Sequence, residues 1–207
     1  MRKLIYFFVC MVFFLLAREC FGEKPNLILV PEDAGRVSQL GLSILPPKGS
    51  DWYVLVNNPN GGLMFSKSLD GENHTLVCSF TVVPLKKEFT NLDNYLDYVK
   101  RQQENMSRRR FKDIKTKYEL NKRFGDYSVE YTMSAKDTKR KTSDGEYMFL
   151  KTHGYTFVHP KDSNYAVDIV YSERGVSEFF TPSFENIGNE FIDNLKRTEN
   201  ENRERTR

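Results

Sequence analysis

Apolar and polar positions along this chain repeat with two different periods, and the changes of period predict its elements. In residues 126–135 (DYSVEYTMSA), Tyr127, Val129, Tyr131 and Met133 fall on one side of a strand, and Ser128, Glu130, Thr132 and Ser134 on the other. That alternation belongs to a sheet with one wet face. Residues 74–83 (HTLVCSFTVV) put Leu76, Cys78, Phe80 and Val82 on one face before Pro84 ends the run. The period then becomes helical. Leu92, Tyr95, Leu96 and Val99 stand at i, i+3, i+4 and i+7, an apolar stripe. Asp93 and Asp97 lie early and Arg108, Arg109 and Arg110 late, in agreement with the helix dipole. A closing helix is predicted after Thr181-Pro182-Ser183, because proline suits a first turn whose N–H has no partner. Its stripe is Phe184, Ile187, Phe191, Ile192 and Leu195.

The remaining elements follow from punctuation. Two short strands (GLSILPP and DWYVLVNN) are broken by Pro46-Pro47, and Asn60-Gly61 supplies a hairpin turn into LMFSKS. Residues 136–143 read as a loop holding Lys136, Lys139, Arg140 and Lys141. Asp144-Gly145 turns the chain into EYMFLKTHGYTFVHP, and a turn at residues 159–164 returns it as YAVDIVYSERG. The order is three strands, a helix, about four strands and a helix. It predicts an α+β fold, a mainly antiparallel sheet of about six to seven strands with two packed helices.

The amino terminus changes the picture. Arg2 and Lys3 precede a 14-residue apolar run from Leu4 to Ala17. A spanning helix needs about 20 apolar residues, so residues 1–22 read as a secretory signal peptide cut after Gly22. Lipidation of Cys20 is the less favoured alternative, because Glu19 stands where a lipoprotein signal wants a small residue. Residues 23–40 form a leader, 41–197 the single domain, and 198–207 a charged tail. The expected location is periplasmic or secreted, with no spanning segment in the mature chain. The first 22 residues hold Arg2, Lys3 and Arg18 against Glu19, so their removal lowers the formal net charge from +3 to +1. A nearly neutral exported chain is a poor nucleic-acid binder. Cys78 is left alone, with no disulfide framework.

The stretches GLSILPPKGSDWYVL and LMFSKS, the helix, the late meander and the closing FENIGNEFIDNL resemble, in that order, the PsbP-type domain over about residues 41–197. The YSERG ending is similar to that of small exported bacterial proteins of unknown function. The PsbP resemblance implies an α/β/α sandwich and a non-catalytic subunit that docks on a membrane complex. It carries over no functional residue.

Candidate chemistry is sparse. A turn centred near Asp162 pairs residues whose numbers sum to about 324, placing His153 opposite Tyr171 and Lys151 opposite Glu173. Ser172 then points to the other face, which argues against a Ser-His-Glu relay. The plainer reading is a Lys151–Glu173 cross-strand pair with Arg174 closing the strand. His153 and His159 are six residues apart, about 20 Å on a straight strand, and His74 and Cys78 are four apart, about 13 Å. No metal site and no cofactor are expected. Cys78 reads as a core residue. The run RRRFKDIKTK reads as a helix end followed by a solvated face, or as a docking patch for an acidic protein or anionic headgroups. The leading expectation is a non-enzymatic envelope accessory protein. It would dock through Arg108, Arg109, Arg110 and Lys112, through Lys139 and Arg140, or through the strand end with His153, Tyr171, Glu173 and Arg174. The alternatives are an enzyme of unrecognised type centred on His153 and Glu173, and a small-molecule or lipid carrier.

Overall fold

A computed structural model of the chain describes residues 28–29, 37–39, 41–49, 51–58, 62–70, 73–86, 88–104, 110–142, 144–176 and 181–197. The expected signal peptide, the charged tail, Arg108 and Arg109 lie outside the described residues.

The strands are β1 (Ile28–Leu29), β2 (Val37–Gln39), β3 (Leu42–Ile44), β4 (Tyr53–Asn58), β5 (Gly62–Asp70), β6 (His74–Pro84), β7 (Phe111–Leu120), β8 (Ser128–Lys141), β9 (Tyr147–Val158), β10 (Tyr165–Gly175) and β11 (Lys196–Arg197). The helices are α1 (Leu92–Glu104) and α2 (Phe184–Asp193), with a 3-10 turn at Lys122–Phe124. Seven long strands and the two-residue β1 make one antiparallel sheet in the order β1-β4-β5-β6-β10-β9-β8-β7, and β11-β3-β2 form a small second sheet. This is the expected α+β fold. β1 and β2 lie inside the segment read as a leader.

Register decides which face each helix covers. Tyr171 pairs with His153, and His153 with Thr132; on the alternate rungs, Val170 pairs with Gly154 and Gly154 with Tyr131. Paired residues share a face. On the first face α2 lays Phe184, Phe191 and Ile192 into the main core with Cys78, Phe80, Ile169 and Tyr171, joined by Trp52, Leu42 and Ile44. On the other face α1 sets Tyr95 and Val99 on Val129. Leu92 and Leu96 of the predicted stripe stay half-buried. Arg123 ties α2 to the sheet: it pairs with Asp193 and lies over the Tyr155 ring, 5.4 Å from its centroid.

Two expectations are corrected. Residues 136–141 are not a loop, because β8 continues through them to Lys141. The basic run from Phe111 onward is the edge strand β7, a strand the pattern did not announce, although Lys112, Lys115 and Lys117 are exposed as a solvated face requires. A bulge between Lys112 and Lys115, where Asp113 takes a φ of 53°, re-aims Lys115 opposite Ser134.

Gly154 shows how closely the sheet is packed. A Cβ there would meet the Ile169 carbonyl oxygen at 2.8 Å and the Tyr131 ring at 2.9 Å. Gly154→Ala is therefore expected to destabilise by about 1–3 kcal/mol. Urea unfolding checks this, and an unchanged midpoint would show that the ring yields freely.

Candidate functional site

The helix α2 covers only part of its face of the sheet. Beside its first turns, over β7, β8 and β9, lies an open cleft of about 600 Å³. Its floor is built by register, in three cross-strand rows. Lys115 pairs with Ser134, and Ser134 with Lys151; Lys117 pairs with Thr132, and Thr132 with His153; Glu119 pairs with Glu130, and Glu130 with Tyr155. Phe184, Glu185 and Asn189 of α2 form the wall. Further along the same face Lys112 stands opposite Lys136, whose ammonium lies 4.6 Å from the Tyr147 ring centroid. Three adjacent strands thus present Lys112, Lys115, Lys117, Lys136 and Lys151 on one face.

His153 is 5% exposed, and its Nε2 lies 2.8 Å from Glu130 Oε1. Asn121 Nδ2 donates to the other carboxylate oxygen at 2.6 Å. Burial alone would raise the Glu130 carboxyl, but the hydrogen bonds from Asn121, His153 and Tyr155 outweigh it and hold it below its ordinary value. Lys117 pairs with Glu119. Lys151 lies over Phe184, 5.6 Å from the ring centroid.

The predicted hairpin register is the observed one: Tyr171 opposite His153, Lys151 opposite Glu173, with Gly154 in step. Ser172 faces the other way and donates to the Val77 carbonyl at 3.2 Å. The side chains on that register behave differently from the expectation. Glu173 is fully buried, and its Oε1 meets His74 Nε2 at 2.5 Å and accepts from the Thr181 N–H and hydroxyl at 2.7 Å each. Lys151 and Glu173 are cross-strand neighbours as expected, but the Glu173 carboxylate lies in the interior among α2, β6 and β10 and is bound by His74 and Thr181. His153 and Glu173 share a face, yet each is bound to a different acid–base partner, so the two do not form one site.

Besides His153, three residues expected on an interaction surface are buried. Arg110 is held bidentately by Asp137, Nε to Oδ1 at 3.0 Å and Nη2 to Oδ2 at 2.6 Å. Tyr171 packs on Phe184, with ring centroids 5.0 Å apart. Burial, with Cys78 and Glu173 nearby, pushes its hydroxyl pKa up. Glu173 is the third. Arg174 is half-buried and donates to Thr75 Oγ1 at 3.3 Å. Lys112 and Lys139 are exposed, and Arg140 is half-buried on β8. Burial also pushes up the Cys78 thiol, which makes it a packing residue rather than a nucleophile. Among the described residues no three His, Cys, Asp or Glu side chains converge as metal ligands.

Sequence reasoning missed the cleft because it missed β7. The signal was present: Thr116, Tyr118 and Leu120 alternate with Lys115, Lys117 and Glu119. The density of lysines hid that period.

Neither protein-family models nor curated proteins yield a match to the chain. The PsbP-type resemblance is not confirmed by a family match. Among solved structures, the chain is similar to LpqN, involved in cell envelope biogenesis of Mycobacterium tuberculosis. The identity is 12% and the TM-score 0.46, over 84% of this chain and 92% of that one. At that level of likeness nothing about activity transfers. No helix among the described residues is long and apolar enough to cross a membrane.

Proposed function

We propose that this is an exported, non-enzymatic envelope accessory protein that binds an anionic partner on the open face of β7, β8 and β9. The observation that carries the reading is the convergence of Lys115, Lys117 and Lys151 around a cleft that α2 leaves uncovered. Export is supported by the charged start and the apolar run at residues 4–17. The sheet beneath the cleft is rigid and hydrogen-bonded on both sides of β8, so the charges are held in place before any partner arrives. Low-dielectric walls beside them focus that field.

A second reading, an enzyme centred on His153, is favoured by the orienting contact with Glu130. It lacks an activated nucleophile: among the described residues Thr132, directly opposite His153, makes no hydrogen bond to the ring, whose Nε2 is occupied by Glu130.

The test is retention on immobilised heparin, a polyanion. The triple variant Lys115→Glu, Lys117→Glu, Lys151→Glu is expected to bind roughly tenfold more weakly near 0.15 M salt, and wild-type retention to fall as salt rises. Lys139→Glu, a single such reversal at another position of β8, is expected to elute with the wild type. Co-elution of the triple variant with the wild type sinks the proposal.

A further inference from the structure

We infer that the outer edge of β7 pairs with β7 of a second copy of this chain, antiparallel about a two-fold axis at Lys117. β7 ends the eight-stranded sheet, and among the described residues no strand lies beyond it. The strand is open along its length. Ile114 is 40% exposed and Leu120 46%; Lys115, Lys117 and Glu119 are exposed, and Thr116 and Tyr118 half-buried. Pairing with β8 uses the backbone N–H and C=O of alternate residues of β7, and the remaining residues turn theirs outward. Such a row of unused donors and acceptors is what an added strand takes up.

The side chains select the partner. Lysines on an edge keep other chains away when they stand alone, but β7 also carries Glu119 on the face of Lys115 and Lys117. Antiparallel pairing centred on Lys117 sets Lys115 of each copy opposite Glu119 of the other. It sets Thr116 opposite Tyr118, and Ile114 opposite Leu120. The two most exposed apolar side chains of the strand thus cover each other at both ends of the ladder, and opposite charges meet twice. Lys117 meets its own copy, but each is already paired with Glu119 of its own strand. Other centres serve worse. A centre at Thr116 sets Lys115 against Lys117. A centre at Tyr118 confines the ladder to residues 116–120 and leaves Ile114 uncovered. The two-fold operation uses each edge once, so the assembly closes as a dimer. It also keeps the α2-bearing faces of both copies on one side of the joined sheet, with the two clefts flanking the axis.

Sedimentation velocity over a concentration series tests the pairing. One ladder makes a small interface, so a dimer is expected with a Kd of roughly 10–100 µM. Lys115→Glu and Glu119→Lys should each weaken self-association about tenfold, since each sets like charges opposite one another twice. Mixed in equal amounts, the two variants should form a heterodimer about as tight as the wild-type dimer, because every reversed charge then faces its opposite. That rescue also fixes the register, since a centre at Tyr118 takes Lys115 out of the ladder. Amide exchange at alternate residues of β7 should slow as concentration rises, which contact between side chains alone does not produce. A protein still monomeric at about 1 mM, a mixture that fails to restore the dimer, or β7 amides indifferent to concentration overturns the inference. A monomer that instead takes an acidic extended peptide along β7 overturns it too and assigns the edge to a different partner. The heparin comparison, run on dilute protein where the monomer prevails, decides the reading of the cleft face separately.

Discussion

Replacing Asp137 with alanine is expected to cost the fold about 3–5 kcal/mol, because it strands a buried guanidinium. Asp137 is fully buried; besides Arg110 it accepts the Lys139 N–H at 3.0 Å. The Arg110 carbonyl in turn accepts from the Thr138 N–H and hydroxyl, both at 2.8 Å. This knot fixes the start of β7 against β8 beside a small apolar cluster of Phe111, Met133, Ala135 and Leu150. An edge strand has only one ladder to hold it, so this fixing matters more at β7 than at a central strand. Arg110→Ala should cost less than Asp137→Ala, since the carboxylate it leaves behind keeps the Lys139 N–H. The double variant Arg110→Met, Asp137→Leu should recover most of the loss, as apolar replacements of whole buried pairs do. Urea unfolding of the wild type and the three variants checks this ordering. A loss below about 1 kcal/mol for Asp137→Ala would place the pair with ordinary surface bridges.

The parts of this architecture that were legible in the sequence are those with a local cause. The turn at residues 159–164 set the β9–β10 register, and His153 does face Tyr171. Alternation in β8 marked Val129, Tyr131 and Met133 as buried and Thr132 as exposed. The α2 stripe is the one that packs, through Phe184, Phe191 and Ile192. What stayed hidden had either a masked period or a distant partner. β7 carries its alternation under four charged positions from Lys112 to Lys117. β8 runs past the lysines at 136–141 because tertiary pairing overrides the loop-like composition of that stretch. His74 and Glu173 are 99 residues apart, and the crossover that places β6 beside β10 leaves no trace in either local sequence. The candidate site inherits this limit: each residue of the cleft belongs to a readable or nearly readable strand, but their convergence depends on the order of β9, β8 and β7.

Glu173→Ala is expected to be the other large loss, about 3–5 kcal/mol, with its damage concentrated at α2. The carboxylate is the point where three segments meet: β10 supplies it, β6 supplies His74, and Thr181 supplies two donors just before α2. Alanine removes the acceptor from the half-buried N–H and hydroxyl of Thr181 at once, and a fully buried orphan of either kind costs about 1–3 kcal/mol. Glu173→Gln keeps an acceptor for Thr181 and should cost clearly less. Leu76, on the same face of β6, calibrates the comparison: Leu76→Ala is a plain cavity change of about 2–5 kcal/mol and should lower global stability without singling out α2. The discriminating measurement is amide exchange at Ile187, whose N–H bonds the Ser183 carbonyl in the first turn of the helix. If the carboxylate anchors α2, that amide should lose protection in Glu173→Ala by more than the global loss accounts for, through local opening of the helix. Because α2 also walls the cleft, the same variant should weaken ligand capture there even under conditions where the sheet remains folded. Equal stability for the alanine and glutamine variants, with α2 protected in both, would show that packing of Phe184, Phe191 and Ile192 alone holds the helix.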